Sequence, residues 1–343
     1  NGLVPVDDIV DTLGRDDFIP SFLQSVSKDG QVWAVPDWAL HHEVWYRKDL
    51  FEQAGLEIPQ SWDELLVAAE TLTQDTNGDG EIDIYGFAVP LGRVWVAAQT
   101  YFQILYSADA YIVDPETGEY RFAADRETAI ETAQFLGDLY AAASPPASIE
   151  WSWADFRTAF VEGRIAMTNE WGAVVLQAAE QNPEMLDNMS IFPFPGPDAN
   201  TEPAAILGGG YFYAIGQADD AEVAASKQIL QCMFDVERVA TRANSRPVYA
   251  LPVMESAFNS ETFQSNEYVQ RFQPEVELIF SNIIDQWYRY GMESGLNPLT
   301  GQIEATTFVG DALQRMVLGT NTPEQAVDAI DRELQYQIAL LTR

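Results

Sequence analysis

The chain has 343 residues, 47% hydrophobic and 12% aromatic, with 53 acids against 18 bases and a formal charge of −35. That is apolar material for sizeable cores, two domains by length, and a composition unlike that of disordered chains. The charge repels nucleic acid and anionic membrane surfaces, no apolar run reaches the roughly 18 residues of a membrane span, and a lone cysteine excludes an intrachain disulfide framework. Lys28, Lys48 and Lys227 are the only lysines. A carboxylate-crowded surface stays hydrated in brine, where screening over a few ångströms removes the self-repulsion, so a halophilic source is expected.

The opening NGLVPVDDIV lacks the charged and apolar regions of a signal peptide. Val32, Ala34 and Val35 run into Pro36, which favours extended backbone ahead of it. Asp49 with Glu52 makes a capping-box pattern, and Gly55 is the expected stop of that short helix. Ser61 with Glu64 is a second capping box, and Leu65, Ala68, Ala69 and Leu72 follow at helical spacing. Tyr85, Phe87 and Val89 alternate as in a strand.

Further on, the periodicity predicts helices over 125–143 and 156–162 and a short strand at Ile165–Met167. Cys232 sits among Ile229, Leu230, Met233 and Phe234, which expects a buried small hydrophobe. A Pro-punctuated extended segment covers Ile191–Pro197, and a strand is expected at Tyr211–Ile215 after Gly208-Gly209-Gly210. Thr322, Pro323 and Gln325 open a last helix with Ala326, Ile330, Leu334, Ile338 and Leu341 on its apolar stripe. Helices alternating with strands point to an α/β architecture.

The ordered set QVWAVPDWALHHEVWYRKDLF (from Gln31), FVEGRIAMTNEW (Phe160–Trp171), FPFPGP followed by LGGGYFYAI, SRPVYALPV (Ser245–Val253) and GTNTPEQAVDAI (Gly319–Ile330) resembles the extracellular solute-binding proteins of ABC importers, in their carbohydrate-binding, maltose-binding-protein-like branch. The resemblance covers nearly the whole chain. It implies a two-lobed periplasmic-binding-protein-like fold with discontinuous lobes, a hinge and the ligand in the interlobe cleft. Lobe I is expected at 1–40 plus 212–285 and lobe II at 41–211 plus 286–343. Gly2–Asp8 resembles a segment that follows a first strand–helix–strand portion in the family, so that portion, the secretion signal and any lipid-anchor cysteine are expected to be absent from this sequence. The resemblance further implies an extracellular or cell-surface location (periplasmic in a Gram-negative source), a monomer, no catalysis, no required cofactor, and two partners: a small-molecule carbohydrate and a membrane permease.

A sugar site needs aromatic plates for C–H faces and planar polar groups for hydroxyls. Trp38 and His41 lie where the family crosses from lobe I to lobe II beside the ligand, with Asp37 and Glu43 as polar candidates, and Trp171 matches the family's stacking Trp. Trp287 lies near a second crossing. From the residues themselves, Trp95 follows the strand ending at Val89, where ligands sit in α/β sheets. Trp153 precedes a helix and is expected to form a wall. Gly209 and Gly210 free the backbone for hinge motion and close ligand approach. Tyr211 follows them directly, and Arg246 is a donor to sugar hydroxyls. The same residues also fit packed core or ordinary ion pairs.

Asp75, Asn77, Asp79, Glu81 and Asp83 fall at positions 1, 3, 5, 7 and 9 of a calcium-loop pattern with Gly80 at position 6, but Gly86 stands where the bidentate Glu belongs. A structural Ca²⁺ brace and a solvated acidic turn both fit. Two other functional classes stay open at this level: a glycoside hydrolase with paired carboxylates, and a calcium-dependent surface module. No nucleophile elbow, HExxH or phosphate loop is present.

Overall fold

Seven strands, arranged in two sheets, position the predicted residues in the computed structural model, which describes residues 2–201, 207–285 and 289–341. In chain order they are β1 (Val35–His41), β2 (Glu43–Arg47), β3 (Tyr85–Ala88), β4 (Ile165–Glu170), β5 (Met189–Phe192), β6 (Leu207–Tyr213) and β7 (Leu251–Pro252). The chain divides into two units. Unit 1 takes Asn1–His41, Trp171–Leu176 and Leu207–Asn297, and unit 2 takes His42–Glu170, Gln177–Ile206 and Pro298–Arg343.

In unit 1 the sheet order is β7-β1-β6, antiparallel throughout. A proline in the central strand would ordinarily disrupt the ladder. Pro36 is tolerated because β7 reaches only Trp38 and Ala39, and because the β1–β6 register slips between Pro36 and Trp38. The slip leaves Asp37 outside the register as a bulge. The three glycines lie inside β6 and not in a loop ahead of it, with Gly209 opposite Leu40 and Gly210 opposite Ala39. Pairing with β1 overrides their weak strand preference. Phe18, Phe22, Val35 and Val253 form part of the core.

In unit 2 the order is β3-β4-β2-β5, with β3 parallel to β4 and β2 antiparallel to both its neighbours. Trp45 on β2 is fully buried and Trp62 stacks on Phe135 with centroids 4.8 Å apart, so both are core residues. The Trp62–Leu72 helix buries Leu65, Ala68, Ala69 and Leu72, and the Ser61 hydroxyl accepts from the Glu64 N–H at 3.3 Å. Gly86 lets β3 lie against that helix, since a Cβ there would stand 1.8 Å from the Ala69 carbonyl oxygen.

Some local expectations need correction. The short helix runs Lys48–Ala54 with Arg47 as its N-cap residue, and the Asp49 carboxylate grips Arg47 at 2.7 and 2.5 Å in place of capping. That guanidinium holds the Asp49 carboxyl below its ordinary range, against the opposing effect of burial. The Trp153–Val161 helix starts earlier than periodicity suggests, because Ser152 and Asp155 form a capping box. Cys232 is exposed: the Asp220–Met233 helix buries only Leu230, and the Cys232 thiol lies beside the Arg238 guanidinium.

Candidate functional site

The β1 bulge sets the geometry of unit 1. Asp37 turns into the protein, where it is 2% exposed and receives Arg242 at 2.5 Å. Its charge is neutralised within the fold by Arg242. Trp38 then pairs with Tyr211 across β1 and β6, and the two rings stack at 4.3 Å with 15° between planes. Tyr249 packs on the same indole at 5.5 Å and 48°, and the Arg246 guanidinium carbon stands 5.5 Å from the ring centroid. Trp38, Tyr211 and Arg246, expected at the site from sequence, are therefore brought together, with Tyr249 added.

The loop carrying Arg246 and Tyr249 is strained. Val248 between them has φ 66° and is buried. A β-branched residue rarely adopts that conformation, and such outliers persist only where surrounding packing enforces them. Gly172 supplies part of that packing, since a Cβ there would lie 2.4 Å from the Val248 carbonyl oxygen. Trp171, just before it, is 4% exposed. His41 ends β1 opposite Leu207 and is buried, and Gly209 and Gly210 line the neighbouring strand. Trp287 lies outside the described residues.

Unit 2 holds a second group. Trp153 is 43% exposed, and the Arg157 guanidinium lies 5.1 Å from its ring centroid, one helical turn on. The same guanidinium donates from Nε to Glu170 at 2.8 Å, on the last residue of β4. Glu170 is fully buried and faces Glu43 across the β4–β2 ladder. Asn169 donates to Gln103, whose amide in turn donates to the His42 carbonyl at 3.2 Å. Trp95 opens the Trp95–Tyr106 helix, half-buried, while Arg93 pairs with Asp311 at 3.0 Å. The turns bearing Trp95 and Trp153 are tied by the Gly92 N–H, which donates to the Trp151 carbonyl at 3.1 Å.

The acidic loop closes on itself. Asp75 accepts from the Gly80 and Gly78 N–H groups at 2.8 and 2.7 Å, and these donors hold its carboxyl below the ordinary range. Asn77 accepts from Asp79, Asp79 accepts from Glu81, and Asp83 accepts from Thr76 and Asn77. Among the described residues no cluster of three or more His, Cys, Asp or Glu side chains is arranged to hold a metal ion.

Sequence reasoning missed Arg157 and Tyr249 as site residues. An Arg four residues after Trp153 is a helical-face neighbour and was a usable signal. Nothing local placed Tyr249 on Trp38, because that contact exists only once β7 pairs with β1.

Residues 23–235 match the model of the bacterial extracellular solute-binding protein family, and the chain belongs to that family. It is an extracellular family of binding proteins and not of enzymes, which removes the hydrolase reading. The Escherichia coli K12 protein YcjN, provisionally named an ABC transporter periplasmic-binding protein, is 23% identical over 264 residues, 76% of this chain and 57% of that protein. The chain thus spans less than two thirds of that relative's length. A solute-binding protein from Agrobacterium radiobacter K84, solved with ribitol, superposes with a TM-score of 0.78 at 22% identity over 97% of this chain and 80% of that one. Maltose-bound MalE3 of T. maritima gives 0.78 at 21% identity over 98% and 80%. At these identities the likeness establishes the fold, the two-lobed α/β fold expected from the sequence. No helix among the described residues is long and apolar enough to cross a membrane.

Proposed function

We propose that this chain is the substrate-binding component of an ABC sugar importer: it takes up a carbohydrate reversibly, closes on it by hinge motion, acts as a monomer and delivers it unchanged to a membrane permease. The observation that carries the reading is the stacked Trp38–Tyr211 pair with Arg246 beside it, in a member of a solute-binding family. Aromatic plates with an adjacent planar donor suit the C–H faces and hydroxyls of a sugar. The ribitol and maltose in similarly folded proteins support a polyol or carbohydrate ligand. Trp171, His41, Trp95, Trp153, Gly209 and Gly210 are proposed as further ligand-facing or hinge positions, and attachment to the cell surface through a lipid anchor belongs to the same reading.

Two finer features are proposed with it. The acid excess is read as halophilic adaptation, and the Asp75–Asp83 loop as a calcium brace whose remaining ligands would come from water or another carboxylate. One thermal-shift series addresses the set. The midpoint is expected to rise in molar NaCl, to rise again with a carbohydrate from a mono- and oligosaccharide library, and to rise with millimolar Ca²⁺ in wild type but not in Asp75→Asn. No shift with any carbohydrate contradicts the transport reading. Equal midpoints with and without salt, or with and without Ca²⁺, contradict the respective finer feature.

A further inference from the structure

This inference rests on the sugar-binding reading and narrows it. Trp38 is the residue that sequence puts foremost as a ligand plate, yet only 8% of it is exposed. Its ring is packed by Tyr211, Tyr249 and Arg246. Tyr211, by contrast, is 56% exposed although one face lies against the indole. With one face against the indole, the ring's share of that exposure comes from its other face and its edge.

We propose that Tyr211 presents the open plate of the unit 1 site, with Trp38 as a positioning residue behind it, and that the plate takes a pyranose ring by its C–H face in preference to an open-chain polyol. Two features fix the plate. Tyr211 and Trp38 are register partners on adjacent strands, so the backbone sets their separation. Tyr249 and Arg246 hold the indole from the strained loop at Val248. A flat, rigid aromatic surface gains most from a flat, rigid ligand face, because little side-chain freedom is lost on contact. An acyclic polyol offers no such face. Arg246 supplies the polar complement: among the described residues no carboxylate pairs with it, in a chain with 53 acids, so its donors are open to ring hydroxyls.

The test uses the whole chain with maltose and ribitol as probes, by calorimetry. Tyr211→Ala is expected to weaken maltose binding about ten-fold, and Tyr211→Phe to restore it to within about three-fold, since stacking needs the ring and not the hydroxyl. Trp38→Leu is expected to weaken maltose binding with Trp38→Phe recovering most of the loss. Nitration by tetranitromethane, mapped by peptide mass spectrometry, gives a readout that loss of folding does not mimic. Saturating maltose should protect Tyr211 and leave the equally exposed Tyr336 unprotected. Wild-type maltose affinity in Tyr211→Ala, or unprotected Tyr211, overturns the proposal. Binding of ribitol without any binding of maltose overturns it while leaving the transport reading intact. Binding of neither overturns it, and the transport reading falls with it only if no carbohydrate of the library binds either.

Discussion

Arg157→Met is expected to lower the stability of the protein by about 3–5 kcal/mol, whereas Arg157→Met combined with Glu170→Leu should lie close to wild type or above it. Glu170 is fully buried at the end of β4, and the Arg157 Nε–H donates to it at 2.8 Å from a side chain only 10% exposed. Removing the cation leaves a carboxylate in a low-dielectric interior beside Glu43, its partner across the ladder. Removing both charges takes away the desolvation penalty together with the attraction, and apolar side chains of similar volume fill the space. Urea unfolding followed by circular dichroism measures both variants, and a single-variant loss under about 1 kcal/mol would show that the pair carries little of unit 2. The cation over Trp153 is lost in the same substitution, so the indole, 43% exposed, should also gain mobility, visible as lower fluorescence anisotropy.

Gly172→Ala is the second large effect. The added methyl would stand 2.4 Å from the Val248 carbonyl oxygen, 2.5 Å from its carbon and 2.9 Å from the Tyr249 nitrogen. All three are backbone atoms, so no rotamer relieves the clash. Overpacking of this kind costs about 1–3 kcal/mol and often more against main chain. Relief has to come from shifting the loop that already holds Val248 at φ 66°. That loop carries Arg246 and Tyr249 onto Trp38, so the site should loosen as well as the fold. The variant should melt lower and bind the carbohydrate proposed above more weakly. Unchanged melting and affinity would mean that the loop moves freely and that the strain at Val248 does no positioning.

The features legible in the sequence were those decided by nearest neighbours. Gly55 stops its helix in the left-handed conformation at φ 66°, and Thr322 with Gln325 caps the last helix reciprocally. Ser61 caps the helix that buries Leu65, Ala68, Ala69 and Leu72, as their spacing predicts. The features that escaped are set by distant chain. Asp37 is claimed by Arg242, 205 residues away, and the bulge that turns it inward depends on the β1–β6 register. The glycines of β6 read as a loop because glycine alone favours one, until β1 supplies a partner. Cys232 read as buried because its neighbours are apolar, yet the helix face that holds it is not covered among the described residues. In the candidate site, aromatic type singled out Trp38 and Tyr211, while their stacking, and which ring is open and which is covered, came only with the fold.

Equilibrium dialysis of the protein in molar NaCl against a labelled oligosaccharide, with the retained sugar recovered and chromatographed, tests the central claim most directly. Saturable retention of a sugar that elutes with its chain length unchanged is the predicted result. Recovery of shortened products, or no saturable retention of any sugar tested, would contradict it.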